Sequence, residues 1–252
     1  MGNAMAARKP QKPAALEGQR PADKALRLHG SIARDIGVLI VSGRYRPGHV
    51  LDGEVEASEQ RKVSRTAYRE AVRILSAKGL VHSRPRVGTR VSPLEQWHLL
   101  DPDVLSWAFS GEPEPEVLHG LFELRAIVEP AAARLAAERR TRDDLKVMKT
   151  ALGVMRQKTL ATEAGRAADR DFHDAILQAT HNDALIVLSA SIGAAVAWTT
   201  QFKQRARALP RNPIPDHVRV YDAIAAGDGE AASEAMRALI DLALDDTRSA
   251  MA

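Results

Sequence analysis

The chain has 252 residues, no cysteine, and 36 Lys plus Arg against 32 Asp plus Glu, a formal net charge of +4. A chain of this length buries enough surface to fold without covalent staples, and the lack of cysteine excludes disulfides and thiolate metal sites. No apolar run reaches membrane-spanning length and the polar, basic amino-terminal stretch has no apolar signal core, so the expectation is a cytoplasmic protein with no membrane partner. Aromatic residues make up only 4%, while Ala, Leu, Arg and Glu abound, which favours helices over a β-rich sandwich or barrel. The charge is unevenly divided. Residues 1–92 hold 18 basic and 8 acidic side chains, a net of +10, whereas 93–252 hold 18 and 24, a net of −6. A basic front segment is expected to meet a polyanion, because phosphate neutralisation supplies the sequence-independent part of nucleic-acid affinity.

In chain order, residues 1–24 contain Lys-Pro pairs and no apolar period, and read as a disordered basic arm. A winged helix-turn-helix is expected over 25–92. Its first helix runs from Leu26 to Ser42, with Leu28, Ile32, Ile36, Leu39 and Ile40 recurring at three and four, and stops before the turn Arg46-Pro47-Gly48. A short second helix follows from Asp52. A third starts after Ser64, a natural N-cap, and ends at Gly79. Leu80 to Ser83 and Thr89 to Ser92 are β-prone runs about a chain reversal, the pattern of a small wing. Residues 93–115 form a linker with a short helix, closed by punctuation from Gly111 to Pro115. From 116 to 248 every substantial segment has helical period, marked by Leu118, Leu121, Phe122, Ile127 and Val128, and later by Met148, Phe172, Leu188, Ile224 and Leu239. The fold class is therefore mainly α: three helices and a small β-wing, then an all-α antiparallel bundle of roughly six helices, an architecture that builds ligand sites from facing helices.

Two constellations carry chemistry. Ser64, Arg65, Thr66, Tyr68 and Arg69 occupy the first turns of the third helix, the end that approaches base edges in a major groove, and arginine is the commonest specific partner of guanine. Arg84 and Arg86 flank the wing reversal, and Gly88 lets backbone come close to a duplex. Read blandly, Arg65 and Arg69 are ordinary exposed helix residues. In the bundle, Asp169 and His173 are four apart on one helix face, and His217 on a later helix offers a further nitrogen, a donor set that suits a divalent transition metal such as zinc. The same spacing also fits a salt bridge, and His217 a cap. Arg125 sits among apolar neighbours as a carboxylate fork, or pairs with Glu129 at four-residue spacing.

The segments Ile40 to Gly48, Val63 to Ala71, Gly79-Leu80 and Gly88 to Val91 resemble the DNA-binding domain of the GntR family of bacterial transcription regulators. That resemblance implies operator contacts by Arg65, Arg69 and Gly88, and brings Arg44 and Thr89 into the DNA-facing set. Gly53 to Ser58 departs from the family pattern: Val55 stands where a basic residue commonly helps hold DNA. Glu123-x-Arg125-x-x-x-Glu129, Asp169 to His173 and His217 to Asp228 are similar to the helical FCD effector domain of the FadR subgroup. There the resemblance implies a metal on Asp169, His173 and His217 that helps receive a carboxylate effector, with Arg125 nearby. The fourth ligand position is occupied by Leu239, whose apolar side chain cannot ligate, leaving at most three protein ligands. The linker from Gln96 to Trp107 is similar to that of galactonate-operon repressors, which implies a sugar acid such as an aldonate as effector. The expected function is a homodimeric regulator, in sign a repressor, that binds double-stranded palindromic operator DNA under control of a small carboxylate. The alternative is a metal-dependent enzyme acting on small carboxylates through the helical domain.

Overall fold

A computed structural model describes residues 21–110, 115–206 and 211–251. Most of the expected basic arm, residues 1–20, lies outside the described residues, as do 111–114 of the expected interdomain punctuation. Helix α1 spans Pro21–Val41, so Pro21 to Lys24, expected in the arm, are helical. Its apolar stripe of Ile32, Ile36 and Ile40 is buried against α3 (Arg65–Ala77), whose Ala71 and Leu75 complete the centre of the winged unit. Between them α2 (Glu54–Gln60) is short, and Lys62, at φ 52°, turns the chain towards α3. Ser64 caps α3: its side-chain oxygen accepts from the Ala67 N–H at 3.1 Å, satisfying one orphan donor of the first turn.

The helix stops at Gly79, at φ 72°, where a side chain would meet the Gln96 carbonyl at 1.9 Å. Only glycine satisfies both the left-handed backbone and the close approach there. Strands β1 (Val81–Arg84) and β2 (Gly88–Val91) form an antiparallel pair, Val81 opposite Val91 and Arg84 opposite Gly88, with an isolated bridge from Val50 to Arg90 alongside. At the wing tip the Val87 N–H donates to the Arg84 carbonyl, with Pro85 and then Arg86 at φ 64°, the pattern of a type II turn.

Helix α4 (Pro102–Ala108) lies in the expected linker. Asp101 caps it by accepting from the N–H groups of Asp103 and Val104, and Pro102 sits where its missing donor costs nothing. Its Val104 and Trp107 belong to the core of the winged unit, while Leu105 and, at its C-cap, Phe109 belong to the core of the bundle. Trp107 fits because α1 carries Gly37 opposite it; a Cβ there would stand 2.2 Å from the indole.

The bundle consists of α5 (Pro115–Arg139), α6 (Arg142–Lys158), α7 (Glu163–Gln178), the short α8 (Asp183–Ile186), α9 (Ser189–Ala206), α10 (Ile214–Ala226) and α11 (Gly229–Met251). Helix α5 packs chiefly on α11, α7 lies between α6 and α9, and α10 packs on α11, α5 and α6. Phe122, Met148, Phe172, Ile176, Ile224 and Met236 fill the centre. The expected inward face of α5 is corrected at one position. Ile127 is 73% exposed, because the buried side of the helix runs through Leu118, Leu121, Phe122, Arg125, Glu129 and Ala133, at spacings of three and four. Two charged residues mark that face, and an apolar count misses them. The segment Asp183–Lys203 is apolar enough by length and composition to cross a membrane, but Ile192, Ala195 and Val196 within it are buried in the bundle core.

Candidate functional site

The winged unit gathers a cationic surface. Arg44, Arg65, Arg69, Arg84 and Arg86 are exposed, and among the described residues none of them pairs with a carboxylate. Ser64 and Thr66 are exposed beside them at the start of α3, and Thr89 lies on β2 with its hydroxyl 2.8 Å from that of Ser83. Gly88, at φ 92°, has no side chain to hold DNA away. Tyr68 does not join this surface: it is 3% exposed and its hydroxyl donates to the Asp52 carbonyl at 3.0 Å. It falls with Ala67, Ala71 and Leu75 on the inward face of α3, and its role is in the core. Val55 is exposed on α2 and presents no charge.

The second site lies inside the bundle. Asp169 and His173 come from α7, one turn apart, and His217 from the first turn of α10; all three are buried. His217 Nε2 stands 2.9 Å and His173 Nε2 3.9 Å from Asp169 Oδ1, and a ligand atom from each residue fits within 4.8 Å of the others. The outer nitrogens are committed elsewhere. His217 Nδ1–H donates to the Pro213 carbonyl at 2.8 Å, and His173 Nδ1–H donates to Glu129 Oε2. Each bond places the proton on Nδ1 and leaves Nε2 with a lone pair turned inward. The approach of His217 Nε2 to Asp169 Oδ1 does not meet hydrogen-bond geometry, so both atoms are buried without a hydrogen-bond partner among the described residues. Two orphaned acceptors beside a third make a donor set that fits a divalent cation, with the outer hydrogen bonds orienting the imidazoles. Phe172 packs edge-on against both imidazoles.

Arg125 faces the same cavity, and its Nε donates to Glu129 Oε1 at 2.6 Å. Glu129 thus serves Arg125 and His173 at once, a role that sequence reading assigned only in part. Burial raises the pKa of Glu129, but the Arg125 charge, with the contact to His173 and the hydrogen bonds from both, outweighs it and leaves it at about 2. Asp169 likewise falls to about 2: burial opposes the shift, and the close contact with His217, with His173 and the Lys203 ammonium beyond it, prevails. Thr200 on α9 donates to Asp169 Oδ2 at 3.3 Å. Lys203, one turn further along α9, also lines the cavity; burial lowers its pKa to about 8 against the pull of Asp169. Neither α9 residue was picked out from sequence. The signal was their spacing from buried Val196, which sets two polar groups on an otherwise apolar face. Leu239 closes the cavity from α11 and contributes no donor atom. The cavity is small, about 30 Å³, room for an ion with one or two waters, so a larger guest enters only as the side chains that line it move apart.

Residues 28–91 match the bacterial regulatory proteins of the gntR family and residues 120–242 match the FCD domain. The galactonate operon transcriptional repressor of Escherichia coli (strain K12) is 38% identical over 208 residues, covering 81% of this chain and 90% of that protein. The HTH-type transcriptional regulator LutR of Bacillus subtilis (strain 168) is 33% identical over 205 residues, covering 79% of this chain and 92% of LutR. Among solved structures, Lar, which controls expression of the Listeria monocytogenes agr system, shares the fold with a TM-score of 0.63 at 17% identity, covering 88% of this chain and 97% of that chain. The chain belongs to the GntR family of bacterial transcriptional regulators and carries an FCD domain behind its winged helix. The galactonate-operon repressor and LutR are transcription regulators and not enzymes, which sets aside the metal-dependent enzyme considered from the sequence.

Proposed function

We propose that the protein is a cytoplasmic, homodimeric repressor whose hold on a palindromic operator is released by a sugar acid bound in the bundle cavity together with a divalent metal. The observation that carries this reading is the convergence of Asp169 Oδ1, His173 Nε2 and His217 Nε2, two of them orphaned, in a buried cavity lined by cations. Such a donor set holds zinc or a similar ion through three protein atoms and leaves further coordination to ligand oxygens. A bound ion of this kind supplies Lewis-acidic attraction for carboxylate and hydroxyl oxygens. Sugar acids are the effector class because the galactonate-operon relative spans most of the chain.

In the front unit, Arg65 and Arg69 read base edges from the start of α3, while Arg44, Arg84 and Arg86 hold phosphates. Gly88 and Thr89 bring the wing backbone close to the duplex. Ser64 accepts from its own helix and keeps its hydroxyl proton for a phosphate oxygen, and Thr66 adds a second hydroxyl. Two copies of this surface about a two-fold axis match a palindrome. The effector acts by binding one arrangement of the winged units better than another.

The test is a thermal-shift screen of the full chain against sugar acids with and without zinc, followed by release of an operator fragment. We expect stabilisation by at least one acid, enhanced by zinc, and loss of operator binding at the same concentration. Operator binding indifferent to every acid that stabilises the protein would defeat the reading.

A further inference from the structure

We propose that Lys203 is the anchor for the effector's carboxylate. The proposal rests on the effector-cavity reading above and assigns within it a residue that neither sequence motif includes. Among the described residues three cations line the cavity: Arg125, Lys203 and Arg211. Two are already neutralised. Arg125 Nε is bound to Glu129 at 2.6 Å, and Arg211 pairs with Asp216 and, at 3.1 Å, with Asp246. Lys203 is 8% exposed, and among the described residues no carboxylate lies within ion-pair distance of it. Asp169 and Asp246 act on it only from further off, and Asp169 turns its oxygens to His217 and Thr200.

A buried ammonium with no carboxylate in direct contact costs free energy, and a site that retains one is complementary to an incoming anion. The compact, three-donor ammonium suits a single carboxylate. Its placement fixes the orientation of the guest. Lys203 follows Val196 and Thr200 on one face of α9, and Thr200 already touches Asp169, so a carboxylate at Lys203 leaves the hydroxylated chain of a sugar acid on the side lined by His173 and His217. Arg125, committed to Glu129, is left to position His173 through that carboxylate rather than to seize the effector itself.

The experiment compares wild type with Lys203→Met and Lys203→Gln as full-length protein, by thermal shift and calorimetric titration. The probes are galactonate, galactitol (which keeps the hydroxyls and lacks the acid) and acetate. Galactonate and acetate should stabilise wild type and galactitol should not. Both variants should lose the acetate shift and bind galactonate about tenfold or more weakly, the share of one charge-assisted contact. Without ligand they should melt at or above the wild-type temperature, since a buried charge with no direct partner is gone. Wild-type galactonate affinity in the variants overturns the assignment while leaving the sugar-acid reading intact. Variants that melt well below wild type or fail to fold mark Lys203 as a structural partner and overturn it too. If wild type ignores galactonate, the sugar-acid reading fails, and acetate decides the rest: a shift confined to wild type supports Lys203 as a carboxylate site, and an equal or absent shift overturns it.

Discussion

His173 commits its two ring nitrogens to different tasks: Nδ1 gives its proton to Glu129, and Nε2 faces Asp169 with a lone pair. Glu129 therefore sets both tautomer and orientation for a residue 44 positions away. Glu129→Gln should weaken zinc binding about 10- to 100-fold in a competition titration with a chelator, the usual effect of losing an outer partner. The same carboxyls govern acid stability. Glu129 and Asp169 lie near 2 when folded, below their ordinary values of 4.5 and 3.8. A depressed folded pKa gives stabilisation that is complete above the ordinary carboxylate range and is lost as pH falls towards the folded value. Melting temperature should accordingly drop between about pH 4.5 and 2, less steeply in Glu129→Gln than in wild type, as followed by circular dichroism. The Asp169 and His173 pair was legible in the sequence because both lie on one helix turn. The second bond of Glu129 was not, since it joins α5 to α7 through packing that no local spacing encodes.

At the scale of elements, α3 shows how much a cap and a period disclose. Ser64 was readable as the cap, and Ser64→Ala should cost about 1 kcal/mol in a denaturant melt. The burial of Tyr68 was readable too, from its register with Ala71 and Leu75, but a polar tip beside two arginines drew it to the DNA-facing set. Helix α4 was visible as a short helix in the linker, whereas its membership of two cores depends on the gap at Gly37, a residue 70 positions before Trp107. Gly37→Ala drives a methyl into the Trp107 indole and should destabilise the protein by roughly 1–3 kcal/mol in a thermal melt. A wild-type melting temperature would show that the indole can move aside. The end of α3 is tied to the same linker. Lys78 Nζ binds Asp101 at 2.7 Å and Asp103 at 2.8 Å, and its carbonyl accepts from the His98 N–H.

Across the whole molecule, charge follows function: the front 92 residues carry a net +10 and the remainder a net −6. Operator affinity should fall linearly with the logarithm of salt concentration, and Arg84→Ala, if it removes one phosphate contact, should flatten that slope by about 0.9 in a fluorescence-anisotropy titration. An unchanged slope would remove Arg84 from the contact set. This division was plain from residue counts alone. What no count conveys is how the two halves are joined: Val104 and Leu105 are neighbours in the chain, yet each is enclosed by a different set of apolar side chains. Neither set can come apart without stripping α4 from the other. On heating, calorimetry should record a single endotherm in place of two, and saturating the bundle with an acid should slow amide–deuterium exchange in the winged unit as well.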